Sequence, residues 1–195
     1  MDYKEVWQSA QPYMAARRNN IHIPVCYYHA EQLVAAYPEC DRDVVLLAIL
    51  LHDLGWATID AGKINAEVLG TRVSDERIRH EKEGARIARE ILESHNYPAS
   101  LVDEVCDIID GHDTRLEPLS LNDKLGKDAD KLWRFDPIGI TVASEWFDWT
   151  PSQYVAKVEE KDIKLIFTEK ALEIAKQDLA RAKQILKIDF LTEEE

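Results

Sequence analysis

The stretch Val44-Val45-Leu46-Leu47-Ala48-Ile49-Leu50-Leu51-His52-Asp53-Leu54-Gly55-Trp56 decides the fold. The apolar run Val44–Leu51 is too short to span a bilayer, so it reads as a helix buried in a soluble core. At its end, where polar residues should take over, an imidazole and a carboxylate stand side by side. A carboxylate buried without a partner costs several kcal/mol, so Asp53 must be paired, hydrogen-bonded or bound to a cation. Gly55 reads as the helix stop. The expectation is that His52 and Asp53 are metal ligands and that other helices bring further ligands to them.

Upstream, Asp41 is placed to cap this helix, and Pro38 ends the one before it. That earlier helix reads as starting at Pro24, since a first turn tolerates proline. Val25, His29, Leu33 and Ala36 share one of its faces, so His29 points inward. Asp2 to Arg18 reads as the first helix, with Val6, Trp7, Ala10 and Met14 on its apolar side. Downstream, Ala57 to Thr71 carries Gly62 and Gly70 and reads as a loop over the His52-Asp53 corner. Ser74 or Asp75 caps a helix on which His80, Gly84, Ile87 and Ile91 form a stripe. Asn96-Tyr97-Pro98 breaks the chain, and Ser100 is expected to cap a helix carrying Val105, Ile108 and His112. A polar loop, Thr114 to Asn122, leads into Lys127-Asp128-Ala129-Asp130-Lys131-Leu132-Trp133. After an aromatic knot of Trp146, Phe147 and Trp149, one long helix is expected over about 152–187. Its stripe is Leu172, Ala175, Leu179, Ala182 and Leu186. The period is helical throughout, with no repeat and no linker, so residues 1–195 read as one all-α domain.

Composition narrows the function. Lys and Arg total 24 against 37 Asp and Glu, a formal net charge of -13. Such a balance argues against a nucleic-acid polymer or an anionic membrane as partner, since both need clustered positive charge. A small phosphorylated substrate remains open if metal ions supply that charge locally. The scattered Cys26, Cys40 and Cys106 resemble neither a disulfide framework nor a zinc knuckle, and no signal-peptide pattern opens the chain, so a cytoplasmic location is expected.

Four of the six histidines (His29, His52, His80 and His112) fall on apolar helix faces or at their ends. His22 and His95 lie in breaker segments and read as surface residues. Imidazoles with Asp53 and Asp130 suit Mn, Fe, Ni, Co or Zn better than Ca or Mg. A single inward histidine is more often a hydrogen-bonded core residue, so the joint pattern carries the weight. Because Asp53 directly follows His52, one helix end can offer a nitrogen to one ion and a carboxylate that bridges to a second.

The order His29, His52-Asp53 and a late Asp130 resembles the HD-domain superfamily of metal-dependent phosphohydrolases. The resemblance covers about residues 20–145. It is most specific at Leu50-Leu51-His52-Asp53-Leu54-Gly55 and Asp128-Ala129-Asp130-Lys131-Leu132, followed by Pro137-Ile138-Gly139-Ile140. It implies a compact helical bundle in which His29, His52, Asp53 and Asp130 hold one metal, with Asp128 supporting. It further implies that His80 and His112 complete a second site, as in the binuclear branches. Departures are the missing Gly-Tyr-Pro after His112, the missing Glu-Asp pair after His52-Asp53, and Trp56 where several relatives have lysine.

The implied activity is hydrolysis of a phosphoester or phosphoanhydride of a small molecule, a nucleotide first among them, by metal-activated water. Glu81 and Asp113 are candidate bases beside His80 and His112. Lys63, Arg72, Arg77, Arg79 and Lys131 are candidate phosphate contacts, and Arg115 is a further one. Ligand order alone leaves two alternatives open: an HD-fold di-iron oxygenase acting on a polyol or phosphonate, and a catalytically silent metal- or nucleotide-binding regulatory module. The final helix also offers a surface for a homodimer.

Overall fold

The computed structural model is described over residues 3–60 and 74–187. Its regular elements there are nine α-helices: α1 (Lys4–Ala10), α2 (Asn19–Ala36), α3 (Arg42–Leu51), α4 (Asp75–Ser94), α5 (Ala99–Ile109), α6 (Leu121–Leu132), α7 (Pro137–Phe147), α8 (Pro151–Glu160) and α9 (Glu169–Ile185). Short 3₁₀ turns cover Gln11–Tyr13, Ala16–Arg18, Leu54–Thr58 and Asp162–Leu165.

Helix α3 is the axis of the bundle. Every residue from Val44 to Leu51 is buried, and α2, α5 and α6 pack around it. The Asp41 side chain caps it by accepting from the backbone N–H groups of Asp43 and Val44 at 3.0 and 3.2 Å. Its far end stops at His52, and the chain tightens at once into the Leu54–Thr58 turn. Gly55 lies inside that turn, where its role is close approach. A Cβ there would stand 1.9 Å from the His80 carbonyl oxygen and 2.6 Å from the Gly84 nitrogen. With no side chain at Gly55, the α4 backbone lies directly on the His52–Gly55 corner, which delivers His80 to it.

Several boundaries differ from the expectations. The first helix ends at Ala10, and Pro12 opens a 3₁₀ turn. Helix α2 begins at Asn19, five residues before Pro24, so proline sits within the helix. Helix α5 starts at Ala99 without a side-chain cap, leaving Ser100 inside it. The long terminal helix is two, α8 and α9, separated by a 3₁₀ turn and the Phe167–Thr168 corner. Asp128 of α6 organises that corner by accepting from the backbone N–H of Phe167 and Thr168 and from the Thr168 hydroxyl at 2.7–2.9 Å. Much of the expected loop Ala57–Thr71 lies outside the described residues. No helix among those described is long and apolar enough to cross a membrane.

Candidate metal centre

His52 follows the last residue of α3, and its Nδ1 lies 2.8 Å from the Ile49 carbonyl oxygen. A carbonyl can only accept, so Nδ1 carries a proton and Nε2 is the ring atom turned toward the neighbouring side chains. His112 repeats this device after α5, with Nδ1 2.9 Å from the Ile109 carbonyl. The turn that places His112 depends on Gly111, whose φ is +129°, a backbone state side chains rarely adopt. His80 comes from α4 and stacks on Trp56, their ring centres 4.0 Å apart and planes 17° apart.

The fourth imidazole is His22. Asn19, buried at the start of α2, donates its side-chain amide to the Asp53 carbonyl oxygen at 2.9 Å. That bond pins the helix start to the His52-Asp53 corner. His22 Nε2 then lies 3.1 Å from His52 Nε2, 3.3 Å from Asp130 Oδ1 and 3.4 Å from Asp53 Oδ2. His29 is equally buried but lies two turns further along the same stripe, about 10 Å at 1.5 Å per residue. Its neighbours are Asp136 and Asp178. The resemblance assigns the first ligand position to His29, and the structure puts His22 there instead. The cause is Pro24, which reads as a helix start when the helix in fact begins earlier. The available signal was the stripe itself, since His22, Cys26, His29 and Leu33 are spaced four, three and four apart.

The six side chains fall into two sets that share Asp53. Its Oδ2 faces His22 and, at 3.9 Å, His52, while Asp130 Oδ1 is 3.5 Å from His52. Its Oδ1 faces His112 at 3.4 Å and His80 at 3.6 Å, whose Nε2 atoms are 3.4 Å apart. Asp113 Oδ2 is 3.8 Å from His80. Trp56 Nε1 donates to Asp53 Oδ1 at 3.0 Å and fixes the carboxylate plane.

Burial opposes ionisation of Asp53 and Asp130, yet the surrounding imidazoles hold both carboxyls well below the usual range. Burial also pushes His80 down to about 4, whereas Asp53 and Asp113 outweigh it at His112 and raise that group to about 10. This donor set fits a divalent metal. Nitrogen and carboxylate ligands at about 2.0–2.2 Å from an ion stand about 3–3.5 Å from one another, close to the spacing of the converging atoms. His22, His52, Asp53 and Asp130 would hold one ion, and His80, His112 and Asp53 a second, with Asp113 beside it.

A cavity of about 470 Å³ opens over this floor, lined by His22, Asp53, His112, Asp113 and Asp130. Arg17, Arg77, Arg134, Lys157 and Lys161 supply positive charge around it, and Trp133, Trp146, Phe147, Trp149 and Tyr154 an aromatic wall. Of the phosphate contacts expected from sequence, Arg77 reaches this cavity. Arg79 is exposed and does not line it, and Lys131 lies over the Phe167 ring at 4.3 Å. Lys63 and Arg72 lie outside the described residues. Arg115 is occupied with Asp123 at 3.1 Å and the Asp107 carbonyl at 2.8 Å. Glu81 is ruled out as a base by its partners. Its carboxylate accepts from the Asp113 and Thr114 backbone and the Thr114 hydroxyl at 2.6–2.8 Å, so it holds the turn after His112 in place.

An all-α bundle that closes paired imidazole sets on one His-Asp corner defines a class of metal-binding helical domains. Residues 21–134 match the family profile of the HD domain, and the chain belongs to that family. The fold is similar to a crystal structure of a predicted HD superfamily hydrolase from an uncultured Thermotogales bacterium. The two are 21% identical over 97% of this chain and 91% of that one, with a TM-score of 0.62. A crystal structure of a Lactobacillus plantarum protein is similar over 94% of this chain and 92% of its own, at 16% identity and a TM-score of 0.59. No curated protein matches.

Proposed function

We propose that this protein is a cytoplasmic metal-dependent phosphohydrolase that cleaves a phosphoester or phosphoanhydride bond of a nucleotide. The observation that carries the reading is the shared Asp53 carboxylate at the floor of a cavity with cationic and aromatic walls. A divalent metal supplies Lewis acidity there, lowering the pKa of water and neutralising charge on phosphoryl oxygens. Asp113 faces the cavity beside His80 and is the residue placed to take a proton at Oδ2. Arg77 and Arg134 orient the phosphate, and the indole and phenyl faces of Trp149 and Phe147 receive a planar base. The cavity is within the size range of small-molecule sites.

The test is elemental analysis of protein purified without added metal, followed by phosphate release from nucleoside mono- and triphosphates with manganese, cobalt or nickel. Metal-dependent release that chelation abolishes is the expected result. Bound iron with oxygen uptake on a polyol or phosphonate, and no phosphate release, would replace this reading with the di-iron oxygenase. Bound metal with neither activity would leave a regulatory module.

A further inference from the structure

Arg17 has no place in the ligand sets, and it is held in an unusual way. Arg17 (φ 46°, ψ 28°) and Arg18 (φ 55°, ψ 37°) both take the left-handed conformation ahead of α2. Two consecutive non-glycine residues in that state persist only where surrounding structure enforces them. Here the enforcement comes from the Asn20 N–H donating to the Met14 carbonyl at 3.2 Å and from the Asn19 bond to Asp53.

The turn sends the two arginines to different fates. Arg18 reaches an exposed partner, Glu145, at 3.1 Å. Arg17 turns into the cavity, its guanidinium carbon 4.5 Å from the centre of the Trp56 ring and 5.2 Å from that of Trp146. Its Nε is buried and has no hydrogen-bond partner among the described residues. Behind it the stack continues, because Trp56 lies on His80 and donates to Asp53. Arg17 is thus a planar cation in contact with two indoles, one of which backs onto the metal centre. It lines the same cavity as Asp53, His112 and Asp113.

We propose that Arg17 is an anion-binding residue of the cavity beside Arg77 and Arg134, and grips the phosphate of the substrate through its guanidinium edge. The fork of a guanidinium matches two oxygens of a phosphate, and a desolvated, pre-oriented fork loses little freedom on binding. Cation–π contact with Trp56 and Trp146 restrains its position. Trp146 acts only through Arg17 and is a positioning residue. The proposal rests on the phosphohydrolase reading and adds to it a group that selects an anion.

The experiment is calorimetric titration of the metal-loaded protein with inorganic phosphate, with metal content and nucleotide hydrolysis measured on the same preparations. The variants are Arg17→Met, Arg17→Lys and Trp146→Leu. Arg17→Met should weaken phosphate binding by roughly tenfold or more and raise KM, with metal content unchanged. Arg17→Lys keeps the charge but loses the fork, and should bind between wild type and Arg17→Met. Trp146→Leu should raise KM more than it lowers kcat, and it keeps the test open if Arg17→Met does not fold. Wild-type hydrolysis with equal phosphate affinity in all three variants would overturn the role of Arg17 and leave the activity standing. Metal lost from Arg17→Met would make the residue a prop for the metal centre and also overturn the proposal. A wild type that neither binds nor releases phosphate would overturn both readings.

Discussion

Helix α2 carries two buried histidines on one stripe, and their surroundings differ in one respect. At the His29 end, Asp136 and Asp178 are neutralised by Arg181, whose guanidinium lies 2.7 Å from one and 3.2 Å from the other. Asp136 is also occupied by the backbone N–H of Ile138. At the His22 end, Asp53 and Asp130 lie at ion-pairing distance only from imidazoles among the described residues. Buried carboxylates need a cation. Where a guanidinium pairs directly with both carboxylates the cluster is structural, and where only imidazoles converge on them the donor set is open to a metal. Both clusters look alike as His/Asp lists, and the arginine separates them.

The largest effect expected from that contrast is at Asp53, which faces both imidazole sets. Asp53→Asn keeps an acceptor for Trp56 but removes the charge that faces both imidazole sets. Metal affinity should fall by more than the roughly 10–100-fold that loss of a supporting partner costs, and phosphate release should fall to background. Equilibrium dialysis with manganese checks this. An Asp53→Asn protein that retains wild-type affinity would break the comparison at its centre.

The next effect is a pair of mirror-image outcomes. His22→Ala should lose metal from the His52–Asp130 set. His29→Ala should keep its metal and lose stability by about 1–3 kcal/mol, as for other buried polar groups removed from a core. In a chain of this size that is a drop of about 2–4 °C per kcal/mol. Elemental analysis and thermal denaturation of both variants decide it. Metal loss in His29→Ala with none in His22→Ala would invert the assignment.

The same helix shows what could be read from residues alone. The buried α3, its Asp41 cap and the corner role of His52-Asp53 follow from an apolar run that ends in charge, because burial leaves few ways to satisfy Asp53. His80 and His112 were legible as inward residues from local period. Choosing between His22 and His29 was not, since both lie on one stripe and the difference is which turn meets α3. That depends on Asn19 reaching the Asp53 carbonyl and on Arg181 arriving from α9, contacts between distant segments that no local spacing encodes. Glu81 illustrates the reverse error. Adjacency to His80 suggests chemistry, yet on a helix the next residue points elsewhere, here to the backbone of Asp113 and Thr114.

The smallest effect is a pH dependence confined to the His29 cluster. Burial raises Asp178 to about 6, with Arg181 opposing and Asp136 reinforcing the shift, while burial lowers His29 to about 4. The two groups act in opposite directions. A raised carboxyl stabilises the fold fully below its unfolded value, near 3.9, and that contribution is lost as pH rises through about 6. A lowered imidazole stabilises fully above about 6.5, and its contribution is lost as pH falls toward 4. Asp178→Asn removes the first effect and leaves the second, and it keeps a neutral amide beside His29. The melting temperature of Asp178→Asn relative to wild type should therefore climb between pH 4 and pH 7, by about 2–4 °C for each kcal/mol involved. Changes at the distant metal centre are common to both proteins and cancel in the difference. A difference that stays flat across that window would mean Arg181 keeps Asp178 ionised throughout. The His29 end would then be an ordinary ion pair, and its contrast with the His22 end would be sharper still.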